Sequence, residues 1–352
     1  MIPVMQPRLP LVDDVAPYLR RMDANRVYTN FGPLAEELEA RYAERFAVPA
    51  GRVVACSSAT LGIEGAVSLS PATRFHCPAW TFPATPLAIV NAGKSLAFAD
   101  VDADDWTMQN PAPQPGEGLV PVVPFGAEIA LEQWSAWPEV IVDAAASGGV
   151  DVRDLSMLPP GWAVVLSIHA TKVLGAGEGG IVFFGDDDRA ERFRAFTVLG
   201  FQGRRESDFV GTNAKMPEMV AAYGLAALDA WDVEEAQWRA ARALVTAVES
   251  DLALSGRRPH LPGVNPYWVV SLESAEHLAR MEEVLADAKV QTRRWWPVPC
   301  PRMGAFSSRW GEVETPHSDL LAATTLGLPF SRDLAPADVD QVAAALARGA
   351  RG

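Results

Sequence analysis

The clearest helical pattern in the N-terminal region begins at Pro33. Leu34, Leu38, Tyr42 and Phe46 recur at intervals of four residues, which brings them onto one face of a helix. Proline is favoured in the first turn of a helix, because the N–H that it lacks would have no partner there. The pattern therefore predicts an amphipathic helix that starts at Pro33 and buries this face.

Seven short apolar runs alternate with helical segments between residues 53 and 184. They predict strands at 53–57, 74–77, 96–100, 119–125, 140–143, 163–167 and 180–184. Strands separated by helices are typical of an α/β fold, in which helices cover both faces of a mostly parallel sheet.

The C-terminal third shows a different pattern. An almost continuous helical pattern from 217 to about 254 is followed by a predicted strand at 268–272 and by helices at 275–286 and 336–347. We therefore predict two domains: a large α/β domain over 1–230, and a smaller α+β domain over 231–352 that includes the connecting helix.

Composition narrows the classes of partner. The chain has 352 residues, of which 49% are hydrophobic, and a formal net charge of −14. This charge argues against nucleic acid or an anionic membrane surface as the main partner. Three cysteines and five histidines show no paired or clustered spacing, so we predict no metal site and no disulfide framework. Without a signal peptide or a long apolar run, the protein is expected in the cytoplasm.

Lys172 is the strongest candidate for chemistry. It follows the predicted strand 163–167 and precedes the glycine-rich stretch 175–180, while Asp143 ends another predicted buried strand. Strand ends are where α/β sheets place reactive groups. A lysine amine can form a Schiff base, and an aspartate can keep a pyridine nitrogen protonated, as pyridoxal phosphate requires. The glycine-rich stretch lies between the lysine and a strand, which favours a turn over a nucleotide-binding loop.

The segment Ser57-Ser58-Ala59-Thr60 follows the predicted strand 53–57 and opens a helical stretch. A helix N-terminus offers free N–H groups and a partial positive charge to a phosphate, and the hydroxyls of Ser58 and Thr60 would add donors. Serine and threonine are also ordinary helix caps, so both interpretations stay open.

These features, in this order, resemble the DegT/DnrJ/EryC1/StrS family of fold-type-I, pyridoxal-phosphate-dependent sugar aminotransferases. The resemblance covers nearly the whole chain. It includes the segment 29–33, the turn 58–60, the segment 78–85, Asp143, Ser167, Lys172 and the segment 211–216. It implies a seven-stranded sheet whose one antiparallel strand follows the lysine, and a homodimer with shared active sites.

The resemblance also implies roles for individual residues. Lys172 would form the Schiff base and Asp143 would pair with the pyridinium nitrogen, while Phe82 would stack on the cofactor ring. The phosphate would be held by Ser58, Ala59, Thr60 and Ser167, and by Asn213 from the neighbouring subunit. On the substrate side the candidates are Thr29, Asn30, His169, Arg293, Arg294 and Trp295, and further basic candidates are Arg204, Arg205 and Lys215.

The function implied by the resemblance is transamination in two ping-pong half-reactions. An amino donor, L-glutamate by resemblance, would pass its amino group to a keto group of a nucleotide-linked deoxysugar, with Lys172 moving the proton as general base and acid. Two alternatives stay open: the same chemistry on a cyclitol or another non-sugar ketone, and a catalytically poor relative that binds the cofactor to regulate. A dehydratase branch carries histidine in place of the lysine, and Lys172 argues against it.

Four positions depart from the family pattern. Ala59 stands where glycine is usual, Val142 where glutamate is common, and Ala146 where histidine or glutamine is usual. Phe125 and Gly126 lack the histidine that often follows the proline of the preceding strand. A water molecule, or another side chain such as His169, is expected to replace the polar group lost at position 146.

Overall fold

The computed structural model describes residues 1–149, 155–251, 261 and 264–350. A seven-stranded sheet forms the main layer, in the order β1-β7-β6-β5-β4-β2-β3. Its strands are β1 Val53–Cys56, β2 Arg74–Pro78, β3 Ser95–Ala99, β4 Glu117–Leu119, β5 Val140–Asp143, β6 Trp162–Ser167 and β7 Gly180–Phe184. β7 pairs antiparallel with both β1 and β6, and the other pairs are parallel. The predicted α/β fold with one antiparallel strand after the lysine is confirmed.

The predicted strand 119–125 is wrong in its extent. β4 ends at Leu119, and the chain then turns through a short 3-10 helix, Pro124–Gly126, in which Phe125 has a φ of 52°. Proline has no N–H to donate to a sheet ladder, so Pro121 and Pro124 interrupt the pairing. Only an isolated bridge from Val122 to Asp143 keeps this segment beside β5.

Helices pack on both faces of the sheet. They are α1 Val12–Asn25, α2 Pro33–Arg45, α3 Ala59–Leu69, α4 Ala84–Asn91, α5 Asp187–Thr197 and α6 Glu218–Asp229. Successive strand residues point to opposite faces, so Val164 and Leu166 join the hydrophobic core shared with α2 and α6, while Val165 joins the one shared with α3 and α5. The predicted helix start at Pro33 is confirmed.

A buried glutamate ties α6 to α2. The carboxylate of Glu218, fully buried in the first turn of α6, accepts hydrogen bonds from the N–H groups of Leu34 (2.9 Å) and Ala35 (2.8 Å). The N–H of Glu218 itself donates to the carbonyl of Tyr28 at 3.0 Å. The start of α2 has no side-chain cap of its own, so Glu218 supplies the acceptor that a helix N-terminus needs.

The C-terminal part contains a second, two-stranded sheet. Its elements are α7 Trp231–Asp251, β8 Trp268–Ser271, α8 Ala275–Asp287, α9 Ser307–Trp310, α10 Pro316–Thr324, β9 Thr325–Leu328 and α11 Pro336–Gly349. β8 and β9 pair antiparallel, and α8 packs against α10 and α11. The strand and the two helices predicted here are confirmed within a few residues. The predicted helix end near 254 lies outside the described residues.

The first residues of the chain lie with the C-terminal part. Ile2 bridges to Val290, and the carbonyl of Val4 accepts from the N–H of Phe330. The division at residue 230 stays a prediction. Within the described residues, no helix is both long enough and apolar enough to cross a lipid bilayer.

Candidate active site

The carboxyl ends of three strands meet at one edge of the sheet. β5 and β6 are parallel neighbours, and β1 runs in the same direction because each of β1 and β6 pairs antiparallel with β7. Asp143 ends β5, Ser167 ends β6, and Ser58 follows the end of β1. The strand order therefore brings together three candidates that lie far apart in sequence.

Lys172 sits in a hydrogen-bonded turn just beyond this edge. Its N–H donates to the carbonyl of His169 at 2.8 Å, and bonds such as Ala170 N–H to the carbonyl of Gly177 (2.8 Å) close the loop that leads into β7. Gly177 has a φ of 106°, a conformation that favours glycine. The predicted turn is confirmed, and it fixes the backbone from which the lysine side chain projects.

The amine of Lys172 has a partner that the sequence did not indicate. Its Nζ donates to the hydroxyl of Tyr267 at 2.8 Å and lies 5.3 Å from the centre of the same ring. Tyr267 precedes β8 and is buried, with 8% of its surface exposed. The sequence analysis did not identify Tyr267, because nothing in the local pattern before a predicted strand indicates a contact with a lysine 95 positions away.

Asp143 is a buried carboxylate held by two donors. Thr85, in the first turn of α4, donates its hydroxyl at 2.6 Å, and the N–H of Ala145 donates at 3.1 Å. Burial raises the pKa of the Asp143 carboxyl, while both hydrogen bonds and the charge of Lys172 act in the opposite direction. Thr85 belongs to the segment singled out in the sequence, but it had no predicted role.

The start of α3 is a serine-capped helix N-terminus at the same edge. Ser58 caps the helix: its Oγ accepts from Leu61 N–H (3.2 Å) and its carbonyl from Gly62 N–H (3.0 Å). Among the described residues, no hydrogen bond engages the N–H groups of Ala59 and Thr60, the first two of α3, and free N–H groups at a helix N-terminus suit an anion. Ala59 is not at positive φ, so its methyl group does not disturb the turn.

A hydroxyl of the neighbouring strand lies at the same edge. The Oγ of Ser167 accepts from the N–H of His169 at 3.1 Å, which leaves its own hydrogen to donate elsewhere. His169 uses its Nδ1 as an acceptor for the N–H of Thr171 (3.2 Å), and its Nε2 lies 3.6 Å from Glu178. None of these contacts involves Ala146, so a role for His169 beside that residue, or toward a substrate, stays a prediction.

Ala146 and Phe125, two of the departures from the family pattern, lie together. Both belong to one apolar cluster with Tyr267 and Trp80, and the carbonyl of Ala146 packs against Gly126. Phe125 stacks on Trp296 at 4.4 Å and meets Tyr267 edge-on at 5.5 Å. Apolar packing thus occupies the region where the family pattern has polar side chains.

The loop that contains Arg293, Arg294 and Trp295 contacts this cluster through the ring of Trp295. The Trp295 ring meets Tyr267 edge-on at 5.1 Å, and the Arg293 guanidinium lies 4.9 Å from the centre of the Trp295 ring. Arg294 forms an ion pair with Glu282 instead. The structure therefore places Trp295 near Lys172 through one intermediate ring, whereas Arg294 is engaged elsewhere.

Other predicted residues lie on the surface of this chain. Phe82, Thr29, Asn30 and Asn213 are exposed, and Asn213 accepts a hydrogen bond from Lys215. Arg204 pairs with Glu206 and Asp208 at the surface. Within the part of the chain that the structure describes, none of these residues has a hydrogen bond, ion pair or ring contact with Lys172 or Asp143. Their predicted roles stay predictions.

Comparison with known proteins identifies the family. The sequence profile of the DegT/DnrJ/EryC1/StrS aminotransferase family matches residues 11–347. The chain belongs to this family. The predicted pyridoxal-phosphate-dependent aminotransferase is thereby confirmed, and so is the cofactor.

Individual proteins similar to this aminotransferase support the same family assignment. It is 25% identical to the dTDP-4-amino-4,6-dideoxy-D-glucose transaminase of Shigella dysenteriae, over 94% of each chain. A putative pyridoxal-phosphate-dependent aminotransferase from Bacillus cereus has the same fold, with a TM-score of 0.88, 24% identity, and coverage of 98% of this chain and 99% of the other. DesI, solved in the presence of its TDP-sugar product, matches at a TM-score of 0.80 and 28% identity, covering 99% and 94%.

The residues at the sheet edge fit the cofactor of the family. Asp143 is a buried acid whose charge lacks a full counter-charge, and a protonated ring nitrogen would provide one. The free N–H groups at the start of α3 and the hydroxyl of Ser167 suit a phosphate. The amine of Lys172 extends from the turn after the same edge. The site thus provides an anion, an amine and a phosphate cradle.

We expect Asp143→Asn to stabilise the cofactor-free protein while cutting transamination at least about 100-fold, because a neutral amide cannot hold the ring proton. The raised pKa means that wild-type loses stability as pH rises through it and the buried carboxyl ionises, whereas the amide does not titrate. The stability gain should therefore grow from pH 4 to pH 8, as followed by urea unfolding. A gain that shrank with rising pH would contradict this account of Asp143.

Proposed function

We propose that this aminotransferase transfers an amino group from an amino-acid donor, L-glutamate, to a keto group of a nucleotide-linked deoxysugar. The observation that carries the proposal is the convergence of Lys172 and Asp143 at one sheet edge beside the start of α3. The names of the relatives, a dTDP-amino-sugar transaminase and a protein solved with a TDP-sugar product, support this substrate class.

The residues of the site have separate roles in this reaction. Bound pyridoxal phosphate supplies a carbonyl group that can carry the amino group and a ring that accepts electrons. Asp143 holds a proton on the ring nitrogen by opposing its charge at close range in a buried setting. The N–H groups of Ala59 and Thr60 and the hydroxyl of Ser167 hold the phosphate. The Nζ of Lys172 removes the proton from the α-carbon of the donor and returns a proton to the amino acceptor.

The substrate side involves residues at the mouth of the site. Trp295 presents its ring beside Tyr267, and Arg293 stacks on that ring, so the pair offers a flat surface and a cation to a nucleotide diphosphate. Phe82 is exposed and would stack on the cofactor ring, and the exposed Thr29 and Asn30 would contact the sugar.

We further propose that two copies of the chain share their active sites. Asn213 is exposed and, among the described residues, has no hydrogen bond, ion pair or ring contact with Lys172 or Asp143 of its own chain, as expected for a residue that serves the phosphate of a partner. In this arrangement Asn213 of the partner would complete the phosphate site that the start of α3 and Ser167 begin within one chain.

Borohydride reduction of the purified protein should attach the cofactor to Lys172. The chain contains four lysines, Lys94, Lys172, Lys215 and Lys289, so peptide mapping gives an unambiguous answer. Lys94 donates to the carbonyls of Ser70 and Ala72 and serves as the internal comparison. Label on any lysine other than Lys172 would overturn the assignment of the site.

Nucleotide-linked ketosugars should accept the amino group in the presence of L-glutamate, whereas cyclitol ketones and small keto acids should react at least about tenfold more slowly, because only the sugar nucleotide engages the Trp295 surface. Product formation is measured by mass spectrometry over a panel of these acceptors. Preference for a cyclitol would support the non-sugar alternative. No turnover of any acceptor, with cofactor bound at Lys172, would support the regulatory one.

Mixing two inactive variants tests the shared site. Lys172→Ala and Asn213→Ala chains should recover activity when they are mixed and allowed to exchange, because one site of the mixed dimer regains both residues. The control is a mixture of Lys172→Ala with Asp143→Asn, two residues of the same chain's site, which should stay inactive. Recovery in both mixtures, or in neither, contradicts the arrangement, as does a monomeric mass by light scattering.

A further inference from the structure

The side-chain hydroxyl of Tyr267 holds the amine of Lys172. Of the described residues, no other accepts a hydrogen bond from this Nζ, and the 2.8 Å separation is ordinary for a strong bond. The two residues are 95 positions apart, and Tyr267 comes from the segment that leads into the two-stranded sheet. The contact therefore links the small sheet to the reactive lysine.

The hydroxyl of Tyr267 lies in apolar surroundings. Its ring packs edge-on against Phe125 at 5.5 Å and against Trp295 at 5.1 Å, within the cluster that also holds Ala146. A buried tyrosine hydroxyl needs a polar partner, and a low local dielectric strengthens the bond that it makes. The bond to Lys172 meets that need.

The backbone of Tyr267 is fixed by a buried polar network. Its N–H donates to the side-chain oxygen of Asn265 at 3.1 Å, and Arg242 of α7 donates both to that oxygen (2.7 Å) and to the carbonyl of Tyr267. The Arg242 guanidinium also stacks over Phe330 at 4.2 Å. Since Arg242 and Asn265 are themselves buried, the position of the Tyr267 hydroxyl is set before any ligand binds.

We propose that Tyr267 is a positioning residue for Lys172. A hydrogen bond from one N–H of the amine restricts rotation about its Cε–Nζ bond, and the nitrogen lone pair is then confined to directions that face away from Tyr267. Tyr267 does not itself exchange a proton in this role. Tyr267 reduces the number of conformations that the flexible Lys172 side chain adopts. A larger fraction of the amine is then in the geometry in which its nitrogen attacks a carbonyl or takes a proton. The inference rests on the proposed role of Lys172 in the function above.

Removal of the hydroxyl tests the inference without any turnover. Tyr267→Phe keeps the ring and its packing, and should slow covalent capture of pyridoxal phosphate by the cofactor-free protein roughly 3- to 10-fold, the value of one hydrogen bond to an uncharged amine. Capture is followed by stopped-flow absorbance. The affinity for 4′-deoxypyridoxine 5′-phosphate, which has no aldehyde and cannot bond to the lysine, should stay within about twofold. In transamination, kcat should fall by a similar factor while KM changes little.

Two controls accompany this variant. Tyr42→Phe removes a buried tyrosine hydroxyl from α2 and should leave capture unchanged. Thermal unfolding of each variant verifies that the fold is kept.

Capture at the wild-type rate in Tyr267→Phe would overturn the inference. A parallel loss of affinity for the deoxy analogue would overturn it too, since Tyr267 would then shape the pocket rather than orient the amine. Lys172 remains the labelled lysine if only this inference fails, whereas label on another lysine would mean that the proposed site itself is wrong.

Discussion

A buried carboxylate is costly unless donors and opposite charges surround it, and the centre of this protein is arranged around that constraint at Asp143. The cost of burying the ionised carboxylate is reduced by three groups: the hydroxyl of the threonine at the start of α4, the N–H of Ala145 and the charge of Lys172. Burial outweighs them, and the pKa of the Asp143 carboxyl is raised. The negative charge of Asp143 is thus only partly compensated, and a cationic ring would complete the compensation. The position of α4, whose first turn carries the threonine, is thus linked electrostatically to the chemistry of the sheet edge.

Two of the departures from the family pattern, at Phe125 and Ala146, have a common physical explanation. A buried polar side chain without a hydrogen-bond partner is destabilising. When one of two neighbouring positions carries an apolar side chain, an apolar side chain is therefore favoured at the other position as well. Phe125, Ala146 and Tyr267 lie in one cluster, and the Phe125 ring fills space with Trp296 and Trp80. The left-handed backbone at Phe125 and Gly126 brings this ring inward. The substitutions therefore form one repacked unit next to Lys172.

Most of the large sheet could be predicted because most of its strands are short apolar runs separated by helical patterns. Asp143 and Lys172 could be found for the same reason: a strand end marks a position in space as well as in sequence. The extent of β4 was wrong because the prolines that follow it override its apolar pattern. Tyr267 could not be predicted, because its partner is 95 residues away and the contact depends on how the small sheet packs against the large one. The role proposed for Asn213 requires a second chain, which no pattern within one chain can place.

Glu218 couples the segment that contains Asn213 to the segment that contains Thr29 and Asn30. This residue follows closely on the segment that contains Asn213, while its backbone and carboxylate bind Tyr28, Leu34 and Ala35, on either side of Thr29 and Asn30. Gly32 is held so near that a side chain there would collide with the carboxylate. The two segments are therefore coupled: when a ligand draws one of them inward, the other must move with it or lose the hydrogen bonds that start α2.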